Sequence, residues 1–88
     1  MSKLYFVYVI QSQVDWTFYK GFTTDPVKRL EEHNLKQSRF TSKKTPWKLV
    51  YLKEFKDKRE ALVYEKKIKR MNTRNLKLMI ENNHLPVI

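Results

Sequence analysis

Tyr19-Lys20-Gly21-Phe22-Thr23-Thr24-Asp25-Pro26, running on into Val27-Lys28-Arg29-Leu30, decides the fold. It reads as the end of a strand, one tight turn and the start of a helix. Gly21 is the one glycine of the chain. A lone glycine marks a place where the backbone tolerates no Cβ, because φ is positive or because another group comes close. Asp25 before Pro26 starts a helix: the carboxylate accepts from orphan N–H groups of the first turn, and proline at the first helical position loses no hydrogen bond. Tyr19 is thereby set at a strand end, with Arg29 one turn into the helix that follows.

Upstream, Leu4 to Ser12 is almost wholly apolar, aromatic or β-branched. Leu4, Phe6, Tyr8 and Ile10 fall on one alternating face and Tyr5, Val7 and Val9 on the other, which predicts a central strand buried on both sides. Gln13-Val14-Asp15 is a short connection, so Trp16 to Thr23 pairs back as an antiparallel hairpin. Asp25 to about Lys36 is the first helix. Gln37 to Pro46 is a polar, basic loop, and Trp47 to Phe55 a third strand. There Trp47, Leu49 and Tyr51 alternate with wetter positions, as on an edge. Asp57 with Glu60 three residues on has capping-box spacing and opens a helix to about Met71. Thr73 caps a last helix to about Asn83. The order β-β-α-β-α-α predicts an α+β fold, a small three-stranded antiparallel sheet flanked by helices. One domain is expected over 1–88, its core at about 4–80.

The chain has 88 residues, 41% hydrophobic and 14% aromatic, enough for a core but a marginal one. It has no cysteine, hence no disulfide framework or thiolate metal site. No apolar run is long enough to span a membrane, and Met1-Ser2-Lys3 leads into a strand rather than a signal peptide. A cytoplasmic protein without membrane association is expected. Nineteen Lys and Arg stand against nine acidic residues, a net charge of +10, which favours a polyanionic partner, nucleic acid above all.

Two helices carry chemistry-bearing residues. Glu65 is four after Ala61 and three before Ile68, on the apolar stripe of the second helix. A carboxylate there is paired with a cation or binds a metal, and both readings stand. On the first helix Arg29 and His33 are four apart on one side, beside an expected sheet-facing stripe of Val27, Leu30 and Asn34. His84 is the one other histidine, which argues against zinc. A single carboxylate with waters and phosphate oxygens suits Mg²⁺.

These residues resemble a GIY-YIG endonuclease domain, of the small stand-alone kind related to the incision domain of bacterial nucleotide excision repair. Val7-Tyr8-Val9 stands where the family has Gly-Ile-Tyr, and Tyr19-Lys20-Gly21 carries the second motif with lysine for isoleucine. The family arginine matches Arg29. The small subfamily's His-Asn pair matches His33-Asn34, and its Thr-to-Pro segment matches Thr41 to Pro46. The metal carboxylate matches Glu65. The resemblance covers about residues 4 to 80.

The resemblance implies a divalent-metal-dependent endonuclease that hydrolyses phosphodiester bonds in DNA, structured or damaged DNA of repair or recombination included. Glu65 holds one Mg²⁺ or Mn²⁺ on this reading. Arg29 stabilises charge on the phosphoryl group. Tyr8 takes the proton from the attacking water, Tyr19 positions water or phosphate, and His33 is a proton acceptor or phosphate contact. A free tyrosine has a pKa of about 10, so Tyr8 needs cations around it, Arg29 and the metal, to act near neutrality. Without the resemblance, both tyrosines read as core packing. Lys20, Arg39, Lys43, Lys44 and Lys48 suit phosphate contacts. Phe40 and Trp47 bracket the basic loop as candidates for stacking on an unpaired base, packing being the stronger reading of Trp47. The partner is nucleic acid, DNA before RNA, with a further protein supplying targeting. The alternative is a nucleic-acid-binding module on a nuclease fold, catalytically weak or silent.

Overall fold

The computed structural model describes residues 3–35 and 41–83. Its elements are β1 (Tyr5–Ser12), β2 (Phe18–Thr23), α1 (Pro26–Asn34), a 3₁₀ turn (Ser42–Lys44), β3 (Trp47–Phe55), α2 (Lys58–Lys69) and α3 (Thr73–Glu81). The sheet order is β2-β1-β3, both pairings antiparallel. The fold is α+β in the expected order. The strand that is apolar on both sides is central, and β3 is an edge.

The two sides of β1 face different layers. Val7 and Val9 pack with Tyr51, Ala61, Ile68 and Leu76, under α2 and α3. Tyr8 and Ile10 pack with Trp47, with Tyr19, Leu30 and Leu49 around them on the α1 side. Simple alternation along β3 puts Trp47, Leu49 and Tyr51 on one face; the structure does not. Val9 pairs with Tyr51 but Ile10 pairs with Leu49, which leaves Val50 over as a bulge. A one-residue bulge reverses the parity of everything beyond it. Trp47 and Leu49 therefore join Tyr8, while Tyr51 crosses to the other layer.

The caps explain where the helices begin. The Asp25 carboxylate accepts from Lys28 N–H at 3.1 Å, with Pro26 behind it. Asp57 accepts from Arg59 N–H at 3.0 Å. The α3 cap is Asn72 rather than Thr73: its side-chain oxygen accepts from Asn75 N–H at 2.8 Å. Both residue types cap well, so sequence does not separate neighbours by one position. In the hairpin, β2 begins at Phe18 because Trp16 turns the chain at φ 67. Among the described residues, no helix is long and apolar enough to cross a membrane.

Candidate active site

Tyr8 comes from the middle of the central strand, directly opposite Gly21 on β2. A Cβ on Gly21 would lie 2.5 Å from both the Cζ and the hydroxyl oxygen of Tyr8. Of the two reasons for a lone glycine, close approach is thus the operative one, and the φ of Gly21 is not positive. The tyrosine ring lies across the glycine, and 3% of the residue is exposed.

The Tyr8 hydroxyl and His33 Nε2 are hydrogen-bonded at 2.9 Å, and His33 Nδ1 and the Thr41 hydroxyl at 2.8 Å. His33 and Thr41 are both fully buried. The Trp47 indole N–H donates to the Thr41 carbonyl at 2.8 Å. The Asn34 side chain, next along α1, meets the Trp47 backbone like a strand partner. Trp47 N–H donates to its oxygen at 2.6 Å, and its amide donates to Trp47 C=O at 3.1 Å. These bonds clamp α1 to β3 and fix the imidazole. Of the expected stripe, Leu30 packs against the Tyr8 cluster and Asn34 bonds Trp47, but Val27 is 49% exposed, and the fully buried residue of α1 is His33. The helix carries few apolar residues, so hydrogen bonds act together with the packing of Leu30 to set its inner face.

Tyr19 sits edge-on to His33, with ring centroids 5.0 Å apart, and 6.4 Å from the Tyr8 ring. Arg29 donates to Glu32 at 3.0 Å. Burial pushes the Tyr8 phenol up to about 12; the neighbouring Arg29 pulls the other way but does not prevail, and Tyr19 and Glu65 add to the rise. Arg29 alone therefore does not prepare Tyr8 to ionise near neutrality. Burial, reinforced by Arg29, holds His33 down at about 4, so the imidazole is neutral. A neutral imidazole offers one donor and one acceptor, and the chain Tyr8–His33–Thr41 uses both.

Glu65 lies on the inner side of α2, its side chain 15% exposed, close enough for its charge to act on Tyr8. Lys69 Nζ stands 3.5 Å from its carboxylate. Both sequence readings of Glu65 thus persist: it is paired, and it borders the tyrosine site. Among the described residues no group of three or more His, Cys, Asp or Glu could hold a metal. A lone carboxylate fits Mg²⁺ or Mn²⁺, which keep several waters and take the rest of their shell from substrate phosphate. It does not fit a structural zinc.

Tyr8, Tyr19, Arg29, His33 and Glu65 therefore gather in one region, drawn from β1, β2, α1 and α2. The cations scatter. Lys43 and Lys48 are exposed, and Lys20 is half-buried along β2. Lys44 is committed to Asp15 at 2.8 Å and to the Thr17 hydroxyl at 3.1 Å. Arg39 and Phe40 lie outside the described residues. Trp47 is buried, so packing, not base stacking, is its role. Thr41 was legible only as the start of a matching segment; nothing in its residue type announced the bond to His33.

The chain belongs to the GIY-YIG catalytic domain family, which matches residues 4–78. This is a family of nuclease domains, in general dependent on divalent metal. The chain is also similar to UPF0213 proteins. It is 37% identical over 84 residues to one from Streptococcus pyogenes serotype M3, covering 94% of this chain and 90% of the relative. It is 38% identical over 80 residues to one from Streptococcus agalactiae serotype V, covering 90% and 89%. The solution NMR structure of a UPF0213 protein from Bacillus halodurans superposes with a TM-score of 0.59 at 26% identity, covering 89% of this chain and 83% of that one.

Proposed function

We propose that the chain is a divalent-metal-dependent endonuclease that hydrolyses phosphodiester bonds in DNA, with structured or damaged DNA of repair or recombination as its substrate. One observation carries the reading: the buried Tyr8–His33–Thr41 chain, flanked by Arg29, Tyr19 and Glu65. Core packing alone gives no reason to bury three polar side chains in series beside an arginine.

The attacking water must lose a proton. Tyr8 holds its own proton at rest, so it accepts another only as its own passes to His33 Nε2. That requires the tautomer in which Nδ1–H donates to Thr41. Arg29 stabilises the charge that grows on the phosphoryl oxygens, and Tyr19 positions the water or the phosphate. Glu65 would hold the Mg²⁺ or Mn²⁺, which when bound neutralises charge on the phosphate and leaving oxygen. The Glu65–Lys69 pair favours a second reading, a catalytically silent binding module in which Glu65 is only an ion-pair partner.

Glu65→Gln separates the two. Lys69 is half-exposed, so losing the pair costs no more than about 1 kcal/mol on either reading. If Glu65 is the metal ligand, single-turnover cleavage of duplex, flap and branched substrates falls at least about a hundred-fold, while metal-free affinity holds. A folded Glu65→Gln protein that nicks DNA at the wild-type rate would overturn the assignment.

A further inference from the structure

Trp16 is both exposed and strained. It is 62% exposed, and its φ of 67 is a conformation bulky side chains rarely take. The surrounding turn holds it there. Trp16 N–H donates to Ser12 C=O at 3.0 Å, and the Gln11 amide donates to Trp16 C=O at 3.1 Å. The one acid of the turn, Asp15, is held below the usual carboxylate range by its hydrogen bonds to Lys44 and Thr17, and Lys44 neutralises its charge.

Beneath Trp16 lies a cavity of about 240 Å³, with Phe18, Lys20, Leu76 and Lys77 in its walls. A second, of about 250 Å³, is lined by Phe18, Tyr19, Lys20 and Lys69. The two share Phe18 and Lys20, so they form one trough along β2. Trp16 stands at one end; Tyr19, and Lys69 with its partner Glu65, stand at the other. Among the described residues, no carboxylate lines either cavity. Trp16 and Tyr19 are three residues apart, so their backbones lie at most about 10 Å from each other, no more than a few nucleotides.

We propose that this trough takes an unpaired segment of the DNA substrate, with Trp16 as the platform on which one base stacks. Aromatic platforms beside lysine-lined grooves bind single strands through π-faces and phosphates, without sequence readout. The turn gives up backbone stability to hold an indole in solvent, and an unpaired base is the partner that fits both its face and the cations beside it. The site deepens the nuclease reading above: the preferred substrate has an unpaired strand within a few nucleotides of the cut.

The test is binding without metal, so that cleavage plays no part. The probes are a blunt DNA duplex and the same duplex carrying a flap. Trp16→Gly is the informative variant, because glycine takes positive φ without strain. It should melt no lower than the wild type, yet lose roughly ten-fold in flap affinity and keep its blunt-duplex affinity. In the wild type the flap, and not the blunt duplex, should quench Trp16 emission; Trp47, 3% exposed, serves as the shielded reference. Equal flap affinity in Trp16→Gly, or unquenched Trp16, overturns the proposal. A protein that cuts DNA independently of Trp16 overturns this inference and spares the nuclease reading. One that binds flaps through Trp16 yet never cuts with Mg²⁺ or Mn²⁺ does the reverse.

Discussion

On one side of β1, Val7 and Val9 meet Tyr51, Ala61, Ile68 and Leu76 in an apolar layer. On the other side, between and beyond those valines, Tyr8 meets His33, His33 meets Thr41, and Ser12 donates to the Lys44 carbonyl at 2.7 Å. The buried polar residues among those described, Ser12, His33 and Thr41, are bonded on the α1 side of the sheet. One strand thus serves two layers with opposite economies. Apolar burial contributes about 1.5–3 kcal/mol per large side chain. A satisfied buried hydrogen bond contributes about 1 kcal/mol, and losing a partner costs more than making the bond gains. The α2/α3 layer therefore holds the fold, and the α1 layer holds a geometry.

The largest test of that contrast is Ile68→Ala. Ile68 is fully buried in the apolar layer, so its truncation should cost about 2–5 kcal/mol. A domain this small has little to spare. Cleavage per folded molecule should change little at low temperature. Denaturant melts read the first and active-site-titrated kinetics the second; a loss of rate per folded molecule would show the layers coupled.

His33→Phe comes next, and its signature is pH. The folded-state pKa of His33 is about 4 against an ordinary 6.5. Between those values the unfolded chain binds a proton that the folded chain refuses. Stability is therefore full above about pH 6.5 and is lost as pH falls toward 4, by up to about 3 kcal/mol. His33→Phe should lose about 1–3 kcal/mol at neutral pH, since Tyr8 and Thr41 lose their partner. It should also flatten this acid limb. Melts of both proteins between about pH 7 and pH 4 decide it. An unchanged limb would place the titration elsewhere.

Gly21→Ala should cost about 1–3 kcal/mol, as overpacking does in tight interiors. The added Cβ falls 2.5 Å from the Tyr8 ring, which is pinned through its hydroxyl. Cleavage should suffer beyond the loss of folded protein, because the ring must leave His33. A variant as active as the wild type would mean that Tyr8 is packing only.

The two layers were not equally legible in the sequence. The apolar layer announces itself: the continuous apolar run of 4–12 makes β1 central, and Asp25-Pro26 and Asp57 set helix starts that the structure reproduces. The polar layer is written in tertiary contacts. His33, Asn34 and Thr41 are ordinary surface residues by type; helix spacing set His33 beside Arg29 and Asn34 on the sheet-facing stripe, but only the family's Thr-to-Pro segment singled out Thr41. The bulge at Val50 sits in a strand with no glycine or proline to signal it, so the crossing of Tyr51 to the other layer was invisible. Trp16 likewise has a side chain that argues against the positive φ it adopts.

The smallest effect tests the independence of the layers most cleanly. The α3 helix, which supplies Leu76 to the apolar layer, begins at the cap Asn72, whose oxygen receives Asn75 N–H at 2.8 Å. Asn72→Ala removes that acceptor and should cost about 1 kcal/mol; Thr73→Ala, inside the helix and exposed, should cost a few tenths or improve helix propensity. The paired melts establish which residue caps. Neither residue joins the hydrogen-bonded chain of the α1 layer, so cleavage per folded molecule should equal the wild type in both. If Asn72→Ala slows cleavage by more than its unfolded fraction, α3 helps to set Tyr8 through β1. The two faces of the strand would then be one cooperative unit rather than a scaffold and a site.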